Sequence, residues 1–325
     1  MASYLIRRIL IAIPVLIGIT VICFAALSLA PGDPLTARLD PTILAQLQRD
    51  PALLEQRRHE LGLDQPVPVR YLVWLAGAVQ GDLGYSIQSH RPIAEELAKR
   101  LPATVALMGT AILIAVLVGI PLGIISALRP YSRLDYILTT ITMLLSAAPT
   151  FVLGLAAIYI FAVWLDMLPS GGIQTLGRPN TPLDFLSHLT LPALVLGLAS
   201  AAPLLRYTRA SMLDVLDSEY VVTAKAKGIA PRAVIARHAF RNSLIPIITV
   251  VGLLLTELVA GAVITEQIFA WPGMGQLAVR AASDRDPALM MGVVLVIGAG
   301  VLVTNILVDV AYVRVDPRIR LDSAR

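Results

Sequence analysis

The sequence predicts an all-α protein, a polytopic membrane helix bundle of six transmembrane helices with both termini in the cytoplasm. Three observations carry that expectation. Of 325 residues, 57% are hydrophobic and only 15% charged, with a mean hydropathy of +0.76. Soluble domains are about a quarter charged, so this chain has too little polar surface to face water all round. Six apolar stretches are long enough to cross a hydrocarbon core of ~30 Å. The lysines and arginines between them alternate in density from loop to loop.

The first stretch, Ile9 to Ala30, follows Arg7 and Arg8 and has a signal-peptide-like end at Ser28-Leu29-Ala30. Its 22 residues exceed the ~7–15 of a signal h-region and reach about 33 Å as a helix, so it is expected to be a retained span. The others cover about 103–128, 137–165, 189–206, 244–265 and 288–312, the fourth being the shortest. Pro14, Pro121, Pro149, Pro192, Pro203 and Pro246 lie in or at the ends of these spans, where kinks or hinges are expected. Gly119 and Gly123, and Gly292, Gly298 and Gly300, predict close backbone packing.

Orientation follows from basic residues. Arg7, Arg8, Arg129, Arg133, the seven between Arg206 and Arg241, and Arg314, Arg318, Arg320 and Arg325 fall on one side. The short loops opposite offer Arg178, Arg280 and Arg285, and that asymmetry assigns the richer side to the cytoplasm. The organisation expected is an N-terminal transmembrane helix over 1–30, an extracytoplasmic region over 31–102, and a five-helix core over 103–325 with a cytoplasmic loop about 211–243. Within 31–102, Asp40-Pro41, Asp50-Pro51 and the run from Leu53 to Gly62 read as short capped helices. Tyr71 to Val79 reads as an apolar segment at the outer interface. The region 31–102 as a whole is either a cap over helix ends or a landing surface for an external partner.

The cytoplasmic segment is the most informative. Met212 to Gly228 is expected to form one helix that Gly228 stops, and Pro231 to start the next. With every other cytoplasmic loop short, this projection has nothing of its own to bury itself against, and asks for a partner's groove. The alternative is a solvated connector.

Several chemistries are excluded. No glycine-rich turn precedes any of the three lysines, Lys99, Lys225 and Lys227, so a P-loop is absent. The four histidines and Cys23 lack metal-ligand spacing, and His59-Glu60 has Leu63 where a zinc-protease helix needs its second histidine. A net charge of +4 without basic clusters on aromatic platforms speaks against a nucleic-acid partner. Glu257, beside Thr256 in the fifth span, is a candidate pathway residue or else a protonated, hydrogen-bonded carboxyl. Ser146, Thr150 and Asn305 are candidates to line a wet path, or to bridge helices. A single such carboxylate and no visible repeat disfavour an ion-coupled secondary transporter. An intramembrane hydrolase would need paired catalytic groups that are missing.

The stretch Glu219 to Gly228, followed by Arg241-Asn242 and Pro246, resembles the EAA loop of ABC importer permeases, with Glu-Tyr-Val standing where the name-giving pattern has Glu-Ala-Ala. Gly81 to Ser86 (GDLGYS), Arg91-Pro92, Leu101 to Thr104, Ala148 to Phe151, Leu168 to Gly172 (LPSGG), Glu266 to Gly275 (EQIFAWPGMG) and Asp316-Pro317-Arg318 resemble the dipeptide, oligopeptide and nickel branch. Arg7-Arg8-Ile9 and the long first loop resemble the first of its two paired permeases. The resemblance implies the type I importer permease fold, in a bacterial or archaeal cytoplasmic membrane. It implies a second homologous permease, two ATP-binding subunits that hold ATP and Mg, an extracytoplasmic substrate-binding protein, and no cofactor in this chain. Coupling to the ATPase would fall on Glu219, Tyr220, Ala224, Lys227, Gly228 and Arg241. The implied cargo is peptide, with nickel complexes or oligosaccharides as the alternative.

Overall fold

Proline at the first turn and glycine or capping serine at the breaks punctuate this chain, and the computed structural model follows that punctuation. It describes residues 2–29, 56, 59, 64–177, 179 and 181–315; the side chains of residues 2–5, 238, 256–261 and 312–315 are outside that description. Apart from residues 56 and 59, the expected helices over 40–62 therefore lie outside the described residues, as do the closing Asp316-Pro317-Arg318 and Arg178.

The helices are α1 Ala2–Leu29, α2 Val67–Val79, α3 Ile93–Leu128, α4 Arg133–Ala147, α5 Thr150–Ala157, α6 Pro182–Leu216, α7 Glu219–Ala226, α8 Pro231–Ala233, α9 Arg241–Ile268, α10 Met274–Ser283 and α11 Pro287–Val315. Two segments wind more loosely as π-helix, Ile158–Trp164 after α5 and Val234–Phe240 after α8. No strand occurs among the described residues, only the isolated pairing of Tyr85 with Pro92.

Among the described residues, four helices are long and apolar enough to cross a membrane alone, and two bent pairs raise the number to six if each is one span. The third span bends where a kink was expected, and sharply: α4 and the segment begun by α5 meet at 103°. Pro149 explains it, because residue 148 before a proline is pushed into the extended region (ψ 128°) and Pro149 itself takes ψ 139°. The fourth span corrects the other way. α6 runs 35 residues through Pro192 and Pro203 without a break.

The chain divides into two units. In the first, residues 1–102 and 276–300, α2 lies along α1 through Tyr71, whose hydroxyl is 3.0 Å from Thr20 Oγ1 and whose ring meets Phe24 edge-on. GDLGYS forms a turn with Gly81 and Gly84 at positive φ. It is pinned by Asp286, whose carboxylate accepts from Ser86 Oγ (2.6 Å) and Ile87 N (2.9 Å) while capping α11 at Leu289 N.

In the second unit, residues 103–275 and 301–325, α6 is the central helix. Small residues let backbones approach it. A Cβ on Gly119 would lie 3.0 Å from Ala201 O, and one on Gly123 2.7 Å from Thr208 Cβ. Leu189, Ala193 and Leu196 pack with Leu107, Ala111, Ala262 and Trp271, while Leu204 packs with Ile247, Val250 and Leu254 of α9. The small residues expected to allow close approach on α3 do so.

Candidate functional site

The segment 211–243, the candidate lever, is a bent set of helices seated on its own apolar residues. α6 ends at Leu216 and Ser218 restarts the chain, its backbone extended (ψ 146°) and its hydroxyl donating to Val215 O at 2.5 Å. The continuous helix expected from Met212 to Gly228 is thus two helices with a break at Asp217-Ser218, because serine there satisfies the backbone outside the helix. α7 then runs to Ala226, and Gly228 at φ +75° turns the chain, its N–H reaching Lys225 O at 3.0 Å. That conformation suits glycine and strains any other residue. Pro231 starts the following helix, as expected.

The lever's apolar face is not left open, as the sequence had suggested. Val221, Ala224 and Val234 bury one another, flanked by Val215, Leu216 and Ile229. Below them Met212, Ala127 and Ala239 form a second cluster, and Ser243 Oγ donates to Met212 Sδ at 3.2 Å. Ala224 therefore points into the loop's own core, while Glu219, Tyr220, Lys227, Gly228 and Arg241 are exposed. Tyr220 is 45% exposed and Val222 56%, and Asn242 Nδ2 donates to the Tyr220 hydroxyl at 3.1 Å, tying the two ends of the loop. What projects is a polar and aromatic rim on an internally packed base.

Three of the candidate path residues can be placed by their local surroundings. Ser146 Oγ accepts from Arg206 Nη1 at 2.7 Å, and that guanidinium also reaches Thr142 O. Thr150 begins α5 at the bend, and Asn305 is an exposed position of α11. Thr256 and Glu257 belong to α9, but their side chains lie outside the described residues.

Two polar nodes stand out that spacing did not assign. One is the EQIFAWPGMG segment. Glu266, fully buried, accepts from Thr104 Oγ1 at 2.6 Å, and the Thr104 hydroxyl in turn accepts from Met274 N at 2.7 Å. Trp271 Nε1 donates to Ala103 O at 2.9 Å. Gly273 leaves room for the carboxylate, since a Cβ there would sit 2.1 Å from Glu266 Oε1. The LPSGG segment joins it: Gly172 N donates to Phe269 O at 2.8 Å.

The other node is Asp135. Arg209 grips it with both arms, Nε to Oδ1 at 2.7 Å and Nη2 to Oδ2 at 2.8 Å. Ser126 Oγ and Tyr131 N supply the remaining donors, so four hydrogen bonds satisfy a carboxylate that is 3% exposed. One signal was available: Ser132 followed by an acid three residues on is an N-cap pattern, and an arginine four residues before Leu213 in an apolar helix needs a partner.

Comparison with known proteins fits this architecture. Residues 119–321 match the binding-protein-dependent transport system inner membrane component family, and residues 1–108 match its N-terminal membrane component. The chain is 43% identical to the oligopeptide transport system permease protein AppB of Bacillus subtilis, over 98% of this chain and 99% of that one. It is 42% identical to a putative peptide permease protein of Brucella suis, over 99% and 100%. To the glutathione transport system permease protein GsiC of Escherichia coli it is 38% identical, over 98% and 99%. A chain of the inward-facing MetNI methionine ABC transporter superposes with a TM-score of 0.56, covering 68% of this chain and 96% of that one at 16% identity, which speaks for the fold. The chain belongs to the family of binding-protein-dependent transport system inner membrane components.

Proposed function

We propose that this chain is one of the two membrane-spanning subunits of an ATP-driven importer of peptides. The observation that carries the reading is the 43% identity to an oligopeptide permease over nearly the full length of both chains. A binding protein delivers cargo to the extracytoplasmic region, 31–102. A second, homologous permease completes the path, and two separate subunits hydrolyse ATP in the cytoplasm. The membrane is the cytoplasmic membrane of a bacterium or archaeon, with both termini inside.

The rim around α7 is where the ATPase engages. Glu219, Tyr220, Lys227 and Arg241 make the contact, Gly228 sets the turn, and Ala224 holds the lever's interior together. The internal packing supports this role, because a lever must move as one piece to transmit force. Alternating access then follows from closing and opening the nucleotide sites.

The test is reconstitution with the second permease, both ATPases and the binding protein, reading labelled-peptide uptake and ATP hydrolysis together. Peptide-stimulated hydrolysis with uptake is expected. Gly228→Pro and Glu219→Arg are expected to lower uptake per ATP by about 5–150-fold, the range of ordinary coupling free energies. Uptake of a nickel complex or an oligosaccharide, with no response to peptides, would overturn the cargo. Glutathione deserves its own assay because the 38% identical relative is named for it.

A further inference from the structure

We propose that Asp135 and Arg209 form the joint that makes α4 move with the coupling lever, so that the two are positioning residues for transport; this rests on the coupling role given above to residues 219–242.

α4 is poorly held by apolar packing. Of its fifteen residues only Asp135 and Thr142 are buried, while Tyr136, Ile137, Met143 and Leu144 are each about 60% exposed or more. Its position is set instead by two polar grips from α6. Near its start, the Arg209 fork closes on Asp135. Near its end, Arg206 holds Ser146 Oγ and Thr142 O. The grips are eleven residues apart on α4, about three turns, so they fix its direction as well as its place. A planar guanidinium fork resists rotation in a way a single contact cannot.

α6 leads straight from this joint to the lever. Arg209 lies two turns before Leu216, and the lever is seated on those turns through Met212, Ala239 and Ser243. The end of α3 is tied in as well, through Ser126 on Asp135 and through Gly123, which has no room for a side chain against Thr208. Displacing the lever thus displaces α6, α4 and the end of α3 together. Relative motion is left to the Pro149 bend, where α4 and α5 part at 103°.

The experiment uses the complete transporter in nanodiscs, with Cys23→Ser and spin labels at Met143→Cys and Tyr207→Cys, both exposed positions. The α4–α6 distance is expected to stay constant between nucleotide-free and vanadate-trapped states. A change approaching one helical turn, about 5.4 Å, overturns the joint. In the same complex Asp135→Asn is expected to broaden the distance and to cut uptake per ATP about tenfold, with Arg209→Lys intermediate because lysine cannot fork. An assembled Asp135→Asn complex with parental uptake per ATP also overturns it. Should Asp135→Asn fail to assemble, Arg209→Lys and the parental distance decide. A parental complex that hydrolyses ATP but imports another cargo would sink the peptide reading and leave this test intact.

Discussion

α1 and α6 are both apolar enough to span a bilayer, yet they sit at opposite extremes of burial. The apolar window of α1 is 6% buried within the chain, and that of α6 is 67% buried. The more buried helix is the less apolar one, carrying two prolines, Arg206, Arg209 and a run of small residues. In water the order would be reversed. Lipid is as apolar as leucine, so apolarity marks the surface that faces it, and the interior is chosen by shape and by polar pairing.

The sharpest way to break the contrast is to remove polar pairing from α6. Asp135→Asn should remove the charge from a nearly dry position and leave the partly buried Arg209 without its counter-charge, destabilising the protein by about 3 kcal/mol, seen as a lower midpoint in thermal unfolding of the purified protein. Next comes packing. Leu204→Ala, fully buried on α6, should lose about 2–5 kcal/mol, whereas Ile22→Ala, 71% exposed on α1, should stay within about 0.5 kcal/mol. Equal losses in the two would erase the distinction between the helices.

Glycines sharpen the same comparison. A Cβ on Gly197 would lie 2.8 Å from Ile114 Cβ and 2.9 Å from Ala111 O, while one on Gly18 meets nothing within 4 Å. Gly197→Leu should cost about 1–3 kcal/mol or block assembly, and Gly18→Leu should express and melt like the parent.

Water supplies the smallest effect. His59 Nδ1 lies 2.7 Å from Asp64 Oδ2 in an exposed pair. The hydrogen bond and charge of Asp64 raise the imidazole above its usual value, and His59 in turn lowers Asp64. The carboxylate's contribution is lost as pH falls through its depressed value, and the imidazolium's as pH rises through its raised one. Both are fully present between the ordinary values of 3.8 and 6.5. Asp64→Asn should return the His59 titration, followed by NMR, toward 6.5 with no measurable change in stability.

Much of this was legible in the sequence because membrane helices announce themselves by length and composition. Every expected span has a helix under it, and Pro149, Gly228 and Pro231 mark real breaks. What spacing did not convey was depth and partnership. Pro149 was visible as a kink, but its 103° angle depends on where α4 and α5 find neighbours. Pro192 and Pro203 look equally disruptive and interrupt nothing, because other helices hold α6 on most sides. The loop's apolar residues were read as asking for a partner, yet Val221 and Ala224 meet Val234 ten residues on, across a turn whose geometry depends on Gly228. Asp135 and Arg209 are 74 residues apart, and no local pattern joins them.

Glu266 and the glycine at 273 occupy one volume between them, since a methyl at 273 would overlap the acid's oxygens. Neither position can drift alone. A lineage that acquires a side chain at 273 must first, or at once, shorten residue 266, and then find another acceptor for the Thr104 hydroxyl. Selection for revertants of Gly273→Ala should therefore return second-site changes at 266 and 104, a genetic linkage written by steric exclusion rather than by any shared chemistry.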